Sequence, residues 1–333
     1  MKAIFQKSGN QTIMDTSDIK CSTIGETSIF APITRKGSGF ISKSTVIFFL
    51  KIIVASILLF FISKKIQFEK LADVFAAADQ LYLFLAFVLI LPNILIQAIK
   101  WHYLLRLTNP DISFANAAGS LMVGFPLGFM TPGRLGEIGR AFFIEKLPAK
   151  QALKLVVIDK VSNNIIVIVI GLMCISAFRQ LDLGSNARIP IAVISFMLLA
   201  LLIAAFSSKS INRIKRFINV PALGRRNVFV ILLLAFIFYA IFTGQFILLA
   251  LSFAQLDLSA LFQAIAAVFC IKTLLPVAIG DLGIREGASV FFITKIGGSK
   301  EIAFNAALLI FCFNSIIPTL CGLPMIFKLK QRR

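Results

Sequence analysis

The chain reads as an all-α integral membrane protein with six spanning helices and two re-entrant broken helices, arranged as an inverted-topology repeat. Three observations predict this. First, 58% of the 333 residues are hydrophobic and only 15% charged, with 34 Phe and a mean hydropathy of +0.92. Soluble domains average about 45–50% apolar and about 25% charged residues. Second, apolar runs of about 20 residues, the length that crosses a hydrocarbon core of about 30 Å, recur along nearly the whole sequence. Third, one charged, glycine-rich motif is written twice, once in each half.

Residues 1–43 open Met-Lys and mix Lys2, Lys7, Lys20, Arg35 and Lys36 with Ser, Thr and Gly, without the apolar segment of a secretory leader. They are expected to form a flexible basic cytoplasmic tail. The membrane domain then covers 44–327, with half one at 44–178 and half two at 189–327, and 328–333 forms a basic cytoplasmic end.

The spans are predicted at 44–63, 81–99, 157–178, 189–206, 227–251 and 303–326. Lys51 interrupts the first and either snorkels or faces a cavity. Two shorter apolar stretches, 114–131 and 259–275, each run into a Pro/Gly break followed by charges, which no simple spanning helix does.

The most basic segments set the orientation. They are the tail, the loop with Lys209, Arg213, Lys215, Arg216, Arg225 and Arg226, and the end with Lys328, Lys330, Arg332 and Arg333. With all three in the cytoplasm, the first broken stretch re-enters from inside and the second from outside. In 65–79 and in 209–218, apolar residues at i, i+3 and i+7 predict helices lying in the interface.

The net charge of +19 does not indicate nucleic acid, because Lys and Arg sit in short loops and tails rather than in one stripe. The five cysteines are odd in number and fit neither a disulfide framework nor a zinc site. They read as small apolar residues, and neither a metal nor a cofactor is expected. His102, beside Trp101 and Tyr103 at a span end, reads as an aromatic interfacial anchor rather than a proton relay.

The first motif runs from Asp111-Ile112-Ser113 to Pro132-Gly133-Arg134-Leu135-Gly136-Glu137-Ile138-Gly139-Arg140. The second runs from Asp257-Leu258-Ser259 to Pro276-Val277-Ala278-Ile279-Gly280-Asp281-Leu282-Gly283-Ile284-Arg285-Glu286. Each holds a capping entry, a proline, a Gly-acid-aliphatic-Gly step and an arginine. Pro132 and Pro276 stop the incoming helix. Gly133, Gly136, Gly139, Gly280 and Gly283 permit the turn.

Non-helical backbone at membrane depth survives only when buried in protein or lining a cavity. A helix restarting there presents N–H groups and a positive dipole end to an anion. Arg134, Arg140 and Arg285 add fork-shaped charge suited to phosphate. The candidate substrate-binding set is therefore Arg134, Glu137, Arg140, Lys272, Asp281, Arg285 and Glu286.

Glu137 and Arg140 are spaced to pair along one helix face, whereas the adjacent Arg285 and Glu286 are expected to point apart. Arg140 or Arg285 is expected to pair with the acid of the opposite half. Asp159, Lys160, Asn163 and Asn164, at the start of the span at 157, either line the same cavity or mark the membrane edge. Interfacial loops whose ion pairs only pin helix ends are the plainer account of each motif taken singly.

TPGRLGEIGRAFF and LPVAIGDLGIREGA resemble the two hallmark segments of the lysylphosphatidylglycerol synthase transmembrane family, over roughly 44–327. The resemblance marks Pro132, Gly133, Gly136, Glu137 and Arg140 in the first segment and Pro276, Gly280, Gly283, Arg285 and Glu286 in the second. Asp281 departs from the family, which often has Gly there. The resemblance implies a flippase for aminoacylated phospholipid, with relatives linked to polyprenyl-phosphate sugars or hopanoid lipids, in a bacterial cytoplasmic membrane. Bifunctional members continue into a soluble aminoacyl-transferase domain, so with Arg333 as the last residue synthase activity is not expected.

Three functions are thus in view. The first is a transporter moving an anionic or polyprenyl-phosphate-linked headgroup between leaflets. The second is a membrane enzyme on a lipid-linked phosphate with Glu137, Asp281 or Glu286 as base, although no P-loop, HExxH, CxxC or nucleophile elbow is present. The third is an accessory protein using the tail and basic loop for partners. A homo-oligomer is compatible with any of them.

Overall fold

The computed structural model describes residues 76, 78–129, 131, 133–178, 185–204, 207, 211–213, 215–216, 223–275 and 283–328. The span expected at 44–63, with Lys51, and the basic tail lie outside the described residues. So do nearly all of the interfacial helix at 65–79, and Pro132, Pro276, Gly280 and Asp281. Within 209–218, residues 211–213 and 215–216 are helical, and Ile211 is buried.

The described residues form helices and contain no strand. In chain order these are α1 (Gln80–Val88), α2 (Ile90–Arg106), α3 (Phe114–Phe129), a 3-10 helix (Leu135–Phe143), α4 (Ala149–Ala177), α5 (Ser185–Ala204), α6 (Arg225–Leu251), α7 (Leu258–Leu274), α8 (Ile284–Lys295), α9 (Lys300–Phe311), a π-helical turn (Cys312–Ile316) and α10 (Ile317–Lys328).

Among the described residues, four continuous segments are long and apolar enough to cross a bilayer: Gln80–Arg106, Ala149–Ala177, Arg225–Leu251 and Lys300–Ile326. At 1.5 Å per residue each exceeds the apolar core, so their ends protrude or the helices tilt. Phe114–Phe129, Ile189–Ala200 and Leu258–Leu274 are shorter apolar helices.

Helix starts follow capping chemistry rather than hydropathy. Asp79 accepts from the Leu81 N–H at 2.8 Å, and Ser299 caps α9. The span expected to open at 157 begins at Ala149, because Lys150, Gln151 and Lys154 are good helix formers whatever their polarity. Asp159 and Lys160 therefore lie well inside a helix and not at its mouth.

The two Asp-aliphatic-Ser entries cap differently. Ser113 Oγ accepts from the Asn116 N–H at 3.2 Å, whereas Asp257 Oδ2 accepts from the Ala260 N–H at 2.7 Å. Ser113 and Asp257 stand equally far ahead of Pro132 and Pro276, so the caps, and not the Asp-x-Ser triplets, carry the common register. Asp257→Ala is expected to cost about 1 kcal/mol, and Asp111→Ala close to nothing. Thermal unfolding of the two variants in detergent checks this.

The broken helices pack crosswise: α3, from half one, lies on α10, and α7, from half two, lies on α4. A glycine makes each approach possible. A Cβ at Gly322 would strike the Met122 carbonyl and Pro126 Cδ on α3, and one at Gly171 would strike the Ala266 carbonyl and Cys270 on α7. Met122 stands as far ahead of Pro132 as Ala266 does of Pro276, and Pro126 as far as Cys270. The two seams therefore meet corresponding positions of the two motifs.

Candidate functional site

The first break is a turn at 131–134 feeding the 3-10 helix. Gly133 has φ 57° and Arg134 φ 56°, so a non-glycine residue holds a left-handed conformation at the mouth of the site. The Gly136 N–H donates to Thr131 Oγ1 at 2.6 Å, and a Cβ on Gly136 would strike the Leu127 carbonyl, which requires glycine there.

Two ion clusters hang from this turn. Glu137 accepts from Arg134 Nε at 2.6 Å and from Lys160 Nζ on α4, and it lies at the edge of a cavity. Behind it, Asp159 takes Arg140 Nη2 at 2.5 Å and Lys100 Nζ at 3.1 Å. Lys100 also donates to Asn163 Oδ1 at 2.5 Å and to the Asp159 carbonyl at 3.1 Å. Exposures of 1% for Lys100, 3% for Arg140 and 7% for Asp159 put this second cluster out of reach of solvent.

Trp101 is part of the clamp. The Arg140 guanidinium sits 4.2 Å from its ring centroid, and its indole N–H donates to Ser120 Oγ at 2.9 Å. Trp101 is fully buried. His102, expected as an interfacial anchor, has its Nε2 3.0 Å from the Ile112 carbonyl and packs its ring edge-on to Phe114, pinning the turn between α2 and α3.

At the second break Gly283 (φ 97°) opens α8. The Gly283 N–H donates to Glu286 Oε2 at 2.6 Å, and Arg285 Nη2 donates to Glu286 Oε1 at 2.6 Å. Adjacent residues were expected to point apart, but the long arginine side chain curls back at the helix start, where both groups are buried and need a partner. The positive end of α8 is accordingly occupied by the protein's own carboxylate.

The two motif arginines are held alike. Arg140 lies on Asp159 and Trp101, and Arg285 on Glu286 with its guanidinium 5.3 Å from the Phe311 centroid. Among the described residues neither pairs with an acid of the other half, and Glu137 pairs with Arg134 and Lys160 instead of Arg140. A carboxylate in the same half compensates each arginine.

The cavity of ≈190 Å³ lies between the halves. Arg134, Glu137, Lys160, Asn163 and Asn164 form one wall, Lys272 and Thr273 at the end of α7 reach it from the other half, and Phe238, Tyr239, Phe242 and Phe269 form an aromatic wall. Phe242 and Phe269 stack with centroids 4.7 Å apart. Of the expected site residues, Gly133, Arg134, Glu137 and Lys272 line the cavity; Arg140 stands behind it; Arg285 and Glu286 are outside its lining. Lys160, Asn163 and Asn164 line the cavity, and Asp159 stands behind it with Arg140.

An amide ladder forms the floor. Gln97 donates to Asn93 Oδ1 (2.9 Å), Asn93 to Asn314 Oδ1 (3.0 Å), Asn314 to Gln245 Oε1 (2.7 Å), and Gln245 to the Ala86 carbonyl (2.8 Å). Asn314 sits in the π-helical turn, a feature often found at functional positions. The ladder, Lys100 and Trp101 were not singled out from sequence. The available signal was polar residues at helical spacing inside the second span, whose end hydropathy sets too early.

Cys174, Cys270 and Cys312 are buried free thiols and Cys321 an exposed one, and no group of His, Cys, Asp and Glu able to hold a metal occurs among the described residues.

Crossing helices, two interrupted helices and an inter-half cavity with a cationic and an aromatic wall define a multi-pass membrane protein. The chain belongs to the family described as lysylphosphatidylglycerol synthase TM region, which matches residues 48–322. Neither a curated protein nor a solved structure matches the chain.

Proposed function

We propose that the protein is a flippase, moving a phosphate-bearing lipid headgroup, anionic phospholipid or polyprenyl phosphate, between the leaflets of a bacterial cytoplasmic membrane, with both termini in the cytoplasm. The cavity carries the reading: among its described lining residues Arg134, Lys160 and Lys272 oppose the single carboxylate of Glu137, facing an aromatic wall. A cationic wall suits a phosphate and an aromatic wall the start of its chain.

Size supports a headgroup rather than a whole lipid, because ≈190 Å³ falls below the about 300–1,000 Å³ of sites that engulf a drug-sized ligand. Glu137 neutralises Arg134 and Lys160 while the site is empty and is displaced by the incoming phosphate. The crosswise seams at Gly171 and Gly322 support two repeats of opposite orientation, the layout with which many secondary transporters surround a midplane site.

The test is leaflet exchange of fluorescent phosphatidylglycerol in phosphatidylcholine vesicles. Arg134→Ala with Lys160→Ala is expected to slow exchange by about 10–100-fold, the loss of one charge-assisted hydrogen bond in the limiting step. Exchange at the wild-type rate overturns the reading. The reading assigns no bond-making step to Glu137, so mass spectrometry is expected to recover the lipid unchanged, and a new covalent product favours an enzyme instead.

A further inference from the structure

Resting on the flippase reading, we propose that the headgroup travels along the seam of α4, α6 and α7, from the cationic cavity to a second site near the start of α7, with the Tyr239 and Thr243 hydroxyls as its polar contacts midway.

The second site is an open groove of ≈830 Å³ lined by Met173, Cys174 and Ala177 of α4, Ile247 of α6, and Asp257, Ser259, Phe262 and Gln263 at the start of α7. The cavity uses the same three helices further along: Lys160 to Val167 of α4, Phe238 to Phe242 of α6, and Phe269 to Thr273 of α7. From Lys272 to Asp257, α7 rises about 22 Å, most of the about 30 Å hydrocarbon core. The groove thus lies toward one end of this set of helices and the cavity about 22 Å further along it, deeper in the membrane.

Between them the seam is shut where Gly171 of α4 meets Ala266 and Cys270 of α7. Tyr239 and Thr243 stand there on one face of α6, exposed by 3% and 2%, and both hydroxyls are buried without a hydrogen-bond partner. They sit one turn apart, close enough for Thr243 to act as a loose hydrogen-bond partner of the Tyr239 hydroxyl, while neither makes a well-formed hydrogen bond. The Tyr239 hydroxyl also lies within electrostatic reach of Cys174, which lines the groove, while its ring lines the cavity.

Buried hydroxyls without partners are costly and uncommon. Two together, where the seam closes between cavity and groove, are what a passing phosphate or glycerol hydroxyl needs. Gly171 lets the helices close behind it.

The experiment measures, for each variant, exchange of fluorescent phosphatidylglycerol in phosphatidylcholine vesicles and equilibrium binding of the same lipid in detergent. Thr243→Val is expected to slow exchange about tenfold, the effect of one hydrogen bond lost midway, with binding unchanged. Thr243→Ser, which restores the hydroxyl, is expected to keep most of the rate, which packing alone does not explain. Ala177→Trp, at an exposed groove position, is expected to slow exchange while binding is kept.

Wild-type exchange in Thr243→Val overturns the midway contacts, and wild-type exchange in Ala177→Trp overturns the groove as the far end. Binding lost in step with exchange overturns the route by placing the hydroxyls in the cavity site. If the wild-type protein itself exchanges no lipid, the flippase reading fails and this inference with it.

Discussion

Asp159→Asn is expected to be the most damaging single polar change in the described chain, lowering stability by about 3–5 kcal/mol against a usual margin of about 5–15 kcal/mol. Asp159 is the one carboxylate on two buried cations, Lys100 and Arg140. Asparagine keeps the shape and can accept one hydrogen bond, but it leaves both charges uncompensated. Lys100→Met is expected to cost clearly less. It removes one cation together with its ion pair to Asp159 and its hydrogen bonds to Asn163 and the Asp159 carbonyl, but keeps Arg140 paired one-to-one with Asp159, so no buried charge is left uncompensated. Unfolding of both variants in detergent tests the ranking, and equal losses overturn Asp159 as the centre of the cluster.

Gly171→Val and Gly322→Val are expected to lose about 2–3 kcal/mol each, at the upper end of usual overpacking, because the obstacles are atoms fixed to the facing backbone, Cys270 Cβ and the Ala266 carbonyl at Gly171 and the Met122 carbonyl at Gly322. A Cβ at Gly171 would stand 2.8 Å from the Ala266 carbonyl oxygen, and one at Gly322 would stand 2.9 Å from Pro126 Cδ and closer still to the Met122 carbonyl. The informative outcome is the match: if the seams are counterparts in a repeat, melting in detergent falls by similar amounts for the two. One variant tolerated and the other unfolded overturns the equivalence of the halves.

These predictions separate roles that the motifs run together. Arg134 and Arg140 belong to one sequence motif, yet Arg134 faces the cavity with Glu137 and Lys160, while Arg140 is sealed between Trp101 and Asp159. Exchange is expected to respond to the first, and folding to the second. Arg285 is tied to Glu286 and Phe311 in the same supporting fashion.

Much of this was legible in the chain. Hydropathy located the spans near 81–99, 227–251 and 303–326 to within a few residues at most ends, because burying apolar side chains in lipid needs only a long enough run of them. Proline, glycine and capping residues marked both interrupted helices, since these act on the neighbouring backbone. The repeated motif also marked the stretch carrying Arg134 and Glu137.

Pairing was not legible. Lys100 and Asp159 are 59 positions apart, and nothing local in either segment shows that the two meet. Local spacing favoured Glu137 with Arg140 and set Arg285 away from Glu286; burial reversed both, because a desolvated charge takes the nearest group that can compensate it. By itself the sequence determined the all-helical membrane class and the two breaks, which depend on composition and on neighbouring residues. Only the tertiary structure decided which charges face the cavity and which hold helices together, because that depends on how α2, α4 and the 3-10 helix pack in three dimensions.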